Sequence, residues 1–398
     1  MKFSEFTLAE LGHVSRGRSR HRPRHADFLY GGNHPFFQTG DVRNANLYLT
    51  EFSQTYSDAG LAQSKKWPAG TLCITIAANI AEVAILGVDA CFPDSIIGFV
   101  AEEQRCDVRY VKYWFDVFQK RFQQVSQGAA QDNLSLEKLL RFRIPVPELS
   151  VQNRIADILY AYDKAIEINQ TRIALLEEAA EQLFTEWFVR LQFPGNEHGE
   201  MVKGTPNGWA KGKVNDLVDV KSGYAFKSKS FSESGLFQVI TIKHVKDGRF
   251  DPGSESCIDS LPREMPRHCI LQTGDILLSL TGNIGRTCLV TSDNCLLNQR
   301  VAKLVPKFGL GFAYCFFRNE MTKMRLETIS TGVAQQNLSP IKMCQLDFDI
   351  PPLELLKRFE EFADPICKLI ISLHQQNRSL GEARDLFLPR LMSGEIEV

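Results

Sequence analysis

The chain says the same thing twice, and any fold it adopts must accommodate the repetition. SQGAAQDNLS from Ser126 returns as STGVAQQNLS from Ser330, so Asn133 recurs as Asn337, 204 positions on (337 − 133). At that offset Val146-Pro147 answers Ile350-Pro351, Arg154-Ile155 answers Arg358-Phe359, and Gly70 to Ile80 lies over Gly274 to Ile284. Near the start, Leu11 to Gly17 answers Leu217 to Gly223. A period this long belongs to duplicated domains rather than to a solenoid. Between these islands the halves differ almost everywhere, the pattern of two similar modules that bind two different things.

The 398 residues suffice for two domains with separate cores, and 44% hydrophobic with 23% charged content is ordinary for a globular protein. The apolar run Ile270 to Leu280 is interrupted by Gln272, Gly274 and Asp275 and is too short to cross a bilayer, and MKFSEFTLAE lacks the apolar core of a signal peptide. The expected location is the cytoplasm, away from membranes. Ten scattered cysteines form no CxxC pair, which suits reduced, buried thiols. A net charge of −1 argues against a globally basic coat but leaves room for local basic faces.

Short β-rich runs (Leu72 to Ile76, Val83 to Val88, Ile96 to Val100) and an aromatic helix around Val108 to Gln124 make residues 1–148 an α+β domain. From Val151 to Phe193 there is neither Gly nor Pro, with Ser150 as N-cap; one continuous helix of that length would extend about 65 Å. Its apolar residues follow a coiled-coil seam: Ile155, Leu159, Tyr162, Ile166, Asn169, Ile173, Leu176, Ala180, Leu183 and Trp187 alternate steps of four and three. The same seam recurs as Phe359, Ala363, Ile366, Ile370, Leu373, Asn377, Leu380, Arg384, Phe387 and Leu391. Pro365 is expected to kink this second helix, and Pro389 with Gly394 to mark a frayed end. Asn169 and Asn377 are either register-fixing polar positions or the edge of the stripe. Residues 194–208, rich in turn formers, read as a linker. Trp209 opens a second α+β domain, 209–351, with its own aromatic helix containing Phe312, Tyr314, Phe316 and Phe317.

Catalytic constellations are missing. Gly208 to Val214 has a Gly-Lys pair but the wrong glycine spacing for a Walker A loop. There is no GxGxxG turn, no HExxH, and neither Asn33-His34-Pro35-Phe36 nor Asp349-Ile350-Pro351-Pro352 has the order of a base-methylating motif. Asp94 with Glu102-Glu103 is the nearest approach to a nuclease carboxylate cluster, and its counterpart Asn298 has lost the acid.

The remaining features suit contact with nucleic acid. Arg16, Arg18, Arg20, Arg22 and Arg24 alternate along RGRSRHRPRH, read as a flexible basic loop able to follow phosphates; the equivalent stretch carries Lys221, Tyr224, Lys227 and Lys229. Thr281 to Arg286 is a tight loop mirrored around Asn79; within it Asn283 is a candidate, and Arg286 is chosen for a phosphate or guanine edge. Lys243 and Arg300 complete the basic set. Gln131, Asn133, Gln335 and Asn337 offer amides suited to adenine, or to capping a turn, and the repeated motif is assigned as the hinge where each module meets its helix.

The duplicated SxGxxQxNLS turn before an IPxP or IPPL boundary, and the ending Ala383 to Ile396 (ARDLFLPRLMSGEI), resemble the specificity subunits of type I restriction-modification systems across essentially the whole chain. The resemblance implies an α+β fold of two tandem target-recognition domains (1–148 and 209–351). They are separated by two spacer helices (149–193 and 352–398) packed as an antiparallel coiled coil with a pseudo-twofold internal repeat. It further implies a non-catalytic subunit that reads a bipartite, asymmetric double-stranded DNA target and docks modification and, through them, restriction subunits. No cofactor is then expected on this chain; S-adenosylmethionine belongs to the methyltransferase subunit, ATP and Mg to the restriction subunit. The alternative is a stand-alone tandem DNA-binding regulator.

Overall fold

The computed structural model describes residues 2–77, 80–127, 135–196, 201–202, 205–227, 231–253, 255–330 and 337–398. The chain forms two units: Met1–Glu167 with Ser379–Val398, and Ile168–Arg378. In the first, one sheet sets Gly12–Arg16, Ile96–Ala101, Leu72–Thr75, Val83–Leu86 and Tyr48–Leu49 side by side, antiparallel except for the last pair. A second sheet orders Gln54–Tyr56, Tyr30–Phe36, Ala90–Cys91 and Lys66–Trp67, with its middle pair parallel.

The second unit repeats the first four strands of the first order and the whole of the second. Val218–Ser222, Val301–Pro306, Ile276–Ser279 and Thr287–Leu289 form one sheet, and Cys257–Ile258, Phe237–Ile240, Cys295–Leu297 and Ile270–Leu271 the other, again with a parallel middle pair. Even the entry turns agree. Gly70 (φ +83) donates to the Leu86 carbonyl and Gly274 (φ +92) to that of Val290, both at 2.8 Å, in a left-handed conformation that favours glycine. The duplication is therefore one of backbone topology as well as of sequence.

Each unit wraps its first sheet around an aromatic helix. Val108–Gln127 buries Tyr110, Tyr113, Trp114 and Phe115 against Leu72, Ile74 and Ile97. In the second unit the helix is split: Leu310–Arg318 stops at Asn319, whose side chain accepts from the Met321 N–H and starts Glu320–Thr328. Nine of the ten cysteines are buried and all are free; burial pushes the Cys106 and Cys367 thiols up to about 12, which disfavours reactive thiolate.

The first spacer helix runs Leu149–Phe184, about 54 Å, and then widens into a π turn over Thr185–Val189 instead of continuing as α-helix to Phe193. Phe184, Trp187 and Phe188 all pack around Phe359, and Phe184 and Phe188 also meet Phe312. The wider turn turns adjacent aromatics toward one cluster before Leu191, at φ +60, ends the segment. The second spacer helix, Leu353–Ser393, runs without interruption through Pro365 and Pro389. Both prolines and the residues four positions earlier, Glu361 and Asp385, are exposed, so water can satisfy the carbonyls they orphan. Its end is capped rather than frayed: Gly394 adopts φ +77 and returns its N–H to the Leu391 carbonyl at 3.2 Å.

Every position of the two seven-residue seams is buried or half-buried. In the first unit Ile155 and Leu159 share a core with Leu388 and Leu391, and Tyr162 meets Phe387. In the second, Ile173 and Leu176 pack with Ile366, Ile370 and Leu373. Contacts that descend one helix while ascending the other make the pair antiparallel within each unit. Asn169 is buried and faces Gln376 at 3.5 Å. Asn377 is half-buried, as are Ile166, Leu183 and Leu380.

Spacer side chains also hold the aromatic helices. Gln152 accepts from the Asp107 N–H at 3.1 Å at the head of the first, and Glu360 accepts from Gly311 N–H (3.1 Å) and Phe312 N–H (2.6 Å) at the head of the second. Tyr113 donates to buried Asp163 at 2.6 Å, which also pairs with Arg384 at 2.6 Å; in the second unit Tyr314 donates to Glu177 at 2.6 Å, and Arg318 pairs with the same carboxylate. None of the described helices is long and apolar enough to cross a membrane.

Candidate nucleic-acid interface

Strand register gathers the candidate residues at one end of each first sheet. In the first unit Arg16 pairs with Ile97 and Ile96 with Thr75, so the strand end Arg16, the turn at Ser95 and the return from Thr75 to Val83 are neighbours. In the second unit Ser222 pairs with Ala302 and Ser279 with Val301, which places the Thr281 to Arg286 loop beside Arg300. Leu280 N–H donates to the Arg300 carbonyl at 3.0 Å while its own carbonyl accepts from Leu338 N–H at 2.8 Å. Asn337 bridges Thr281 directly. Gly282, at φ +75, would bring a Cβ 3.5 Å from Ile242, so the loop lies against the turn that carries exposed Lys243. Asn283, Arg286, Arg300, Asn337 and Lys243 thus converge although they span 94 positions (337 − 243) of chain.

Asn337 corrects the hinge assignment. It stands at the sheet end, and Ser339 begins the helix Pro340–Cys344 by accepting from Lys342 N–H; Ser135 does the same for Leu136–Leu139 through Lys138. The serine of the repeated motif is an N-cap because its oxygen fills an orphan donor of the helix's first turn. The hinge lies beyond, where Asp347–Ile350 pairs with Ala210–Lys213 and leads into the spacer helix. Gln131, Asn133 and Gln335, like Asn79 and Lys229, lie outside the described residues.

The arginine run is anchored rather than flexible. Arg18 N–H donates to the Phe92 carbonyl (3.1 Å), His21 N–H to Gln63 Oε1 (2.9 Å), and Ser64 Oγ to the Arg18 carbonyl (2.7 Å). Gly17 lets the loop start flush: an added Cβ would sit 2.3 Å from the Pro93 carbonyl oxygen. Tyr224 repeats the bond of Arg18, donating to the Leu297 carbonyl at 2.9 Å, and Gly223 repeats Gly17, 2.2 Å from the Asn298 oxygen. All five arginines are exposed. Arg22 folds back onto the Ser19 and His21 carbonyls and Arg24 pairs with Asp94 at 2.9 Å, while among the described residues Arg16, Arg18 and Arg20 have no ion-pair partner. Lys221 lies across from Lys303, Lys227 is exposed, and Tyr224 packs half-buried against Phe226.

Lys65 is a cation that sequence reading passes over. It sits 3.6 Å above the Trp67 ring and donates to Ser15 Oγ at 3.1 Å; burial first, then the nearby Arg18, lower its pKa. Only the second sheet brings it to the arginine loop. Arg286 is half-buried and held by Asn283, whose amide oxygen, turned toward it, accepts from both terminal nitrogens at 3.0 and 2.7 Å. Its planar fork is thereby oriented before any ligand arrives. No group of three or more His, Cys, Asp or Glu among the described residues is placed to hold a metal ion.

The comparisons agree with the duplicated architecture. The family model for the type I restriction modification DNA specificity domain matches twice, over residues 1–178 and 206–379. The specificity subunit of the type I restriction enzyme MjaIX of Methanocaldococcus jannaschii is 24% identical, covering 93% of this chain and 88% of that one. The HindI specificity subunit of Haemophilus influenzae is 23% identical over 99% of this chain and 100% of its own length. The crystal structure of a type I restriction-modification S subunit from M. genitalium shares the fold, with a TM-score of 0.62 at 15% identity, covering 98% of this chain and 96% of that one. With the family model matched once in each half, on a topology that is itself repeated, the chain belongs to the type I restriction-modification DNA specificity family.

Proposed function

We propose that this chain is the sequence-reading, non-catalytic subunit of a type I restriction-modification complex and that each unit reads one half of a bipartite DNA target from the end of its first sheet. The observation that carries this reading is the pair of sheet ends, built on one backbone scaffold and furnished with different side chains. Backbone anchoring at Arg18 and Tyr224 supplies position; the diverged side chains supply sequence. The exposed cations Arg16, Arg18, Arg20, Lys243 and Arg300 are assigned to phosphates, and Arg286 to a base edge.

Its partners are then double-stranded DNA and the other subunits of the system. The modification subunits, carrying S-adenosylmethionine, dock on this chain, and restriction subunits using ATP and Mg join through them. The test is the catalogue of methylated sequences in host DNA after residues 1–148 are exchanged for those of a relative. One half of the target should change while the other and the gap between them stay. A change in both halves overturns the assignment of one reader to each unit. A stand-alone regulator would instead bind its site tightly without methyltransferase subunits, and co-purification separates the two readings.

A further inference from the structure

We infer that residues 82 and 286 are the same base-reading position in the two units, Arg286 recognising guanine and Glu82 recognising cytosine through its exocyclic amine. The inference rests on the DNA-reading function proposed above and identifies part of its chemistry. Thr75 and Ser279 end equivalent strands, and each binds the returning chain in the same way. Thr75 N–H donates to the Glu82 carbonyl and Glu82 N–H to Thr75 Oγ1, both at 3.0 Å; Ser279 N–H donates to the Arg286 carbonyl and Arg286 N–H to Ser279 Oγ, also at 3.0 Å. One residue earlier, Ala81 (φ +59) and Gly285 (φ +79) make the same left-handed turn and donate to the Thr75 and Ser279 carbonyls at 2.9 and 3.1 Å. Their Cα–Cβ bonds therefore leave equivalent scaffolds in the same direction. Both residues are half-buried while the residues on either side, Ala81 and Val83, Gly285 and Thr287, are buried. Each is the outward-facing position of its loop's return.

The sign of the charge selects among the contacts available there. A position devoted to phosphate must be neutral or basic in both units, because a carboxylate is repelled by the DNA backbone. Glu82 fails that condition. Base edges tolerate either sign: guanine presents the O6 and N7 acceptors that a guanidinium fork matches, and cytosine presents the N4 amino donor that a carboxylate accepts. Asn283, holding both terminal nitrogens of Arg286, fixes the plane of that fork. The carboxylate loses little to neighbouring anions, since the exposed cations of the arginine loop supply the backbone attraction elsewhere on the same sheet end.

The experiment is selection of bound duplexes from a randomised double-stranded oligonucleotide library by the full chain with its modification subunits, followed by sequencing. Arg286→Gln and Arg286→Lys should each reduce preference for one G·C pair in one half-target by tenfold or more. Arg286→Lys should leave the salt dependence of binding unchanged. Glu82→Gln should relax one C·G pair in the other half, and Glu82→Arg should convert that position to a preference for guanine. Uniform weakening across all sequences by Arg286→Gln, with a shallower salt dependence, would make Arg286 a phosphate contact and overturn the inference. So would Glu82→Gln leaving every position unchanged in a protein whose thermal melting matches the wild type. If the wild-type complex selects no bipartite motif, the DNA-reading function fails together with the inference. A wild-type motif that the variants leave intact removes the inference alone.

Discussion

Gln152 offers the sharpest test of how the first reader is joined to its spacer helix. The residue is 1% exposed. Nε2 donates to the Arg105 and Pro147 carbonyls, each at 3.0 Å, and Oε1 accepts from Asp107 N–H at 3.1 Å. Gln152→Leu keeps the volume and strands one N–H and two carbonyls. At about 1–3 kcal/mol for a stranded buried group, with carbonyls at the low end, the loss is about 3–5 kcal/mol. Gln152→Glu is nearly isosteric yet replaces the donor that faces two carbonyl oxygens. Protonated, it loses one hydrogen bond, about 1 kcal/mol. Ionised, it sets a buried negative charge against two carbonyl dipoles. Burial of this kind raises a carboxyl pKa by about 3 units, or about 4 kcal/mol at 1.36 kcal/mol per unit.

The folded pKa then exceeds the unfolded one, so the native state holds more protons than the unfolded chain. Stability is fully present below the unfolded value near about pH 4.3 and is lost as pH rises toward the folded pKa near about pH 7. Urea unfolding midpoints of wild type and Gln152→Glu should diverge steadily from about pH 4.5 to about pH 7.5. Hydrogen exchange in peptides spanning residues 105–119 and 147–160 should report the same divergence locally. Curves that stay parallel, with less than about 1 kcal/mol between them at neutral pH, would refute the placement of the amide between two carbonyls.

Three further outcomes follow from the same geometry. Asp163→Asn removes the charge shared by Tyr113 and Arg384; because Arg384 keeps Asp385, the expected loss is about 2–3 kcal/mol, and a double-mutant cycle with Tyr113→Phe should return a coupling of about 1.5–3 kcal/mol by urea denaturation. Gly17→Ala and Gly223→Ala place a methyl within 2.4 Å of backbone oxygens, so each should shift the loop that follows and relax one half-target only, read by methylation mapping. His374 and His244 both have pKa values lowered by burial, so the unfolded chain binds the extra protons and stability is lost as pH falls through about 6.5. Thermal melting of His374→Leu should show a flatter decline than the wild type between about pH 6.5 and about pH 5.5.

The seam was legible residue by residue because heptad spacing alone decides which side chains share a helix face, whereas its antiparallel sense came only with the family resemblance. The extent of the first helix was not legible. Trp187 read as more of the stripe, while it joins Phe184 and Phe188 around Phe359 through a π turn. The second helix continues past its prolines for a reason of the same kind: only the tertiary structure reveals that Pro365 and Pro389 face solvent, where water can take the carbonyls their rings orphan. The arginine loop announced itself by composition, but its anchoring on Phe92, Gln63 and Ser64, and the arrival of Lys65 beside it, depend on a second sheet with no local signal.

By itself the sequence determined that one module occurs twice, that each is followed by a seam-bearing helix, and which short motifs the copies share. These are properties of spacing, and spacing is written along the chain. The tertiary structure alone decided which residues meet at the reading end. Strand pairing brings Arg300 and Asn337 to the Thr281 to Arg286 loop, and moves Asn337 from the hinge to that loop. It also places Glu82 and Arg286, aligned by the 204-residue offset, on equivalent scaffolds, since the hydrogen bonds of Thr75 and Ser279 match. Register across a sheet joins residues far apart in sequence through backbone geometry that no local pattern encodes.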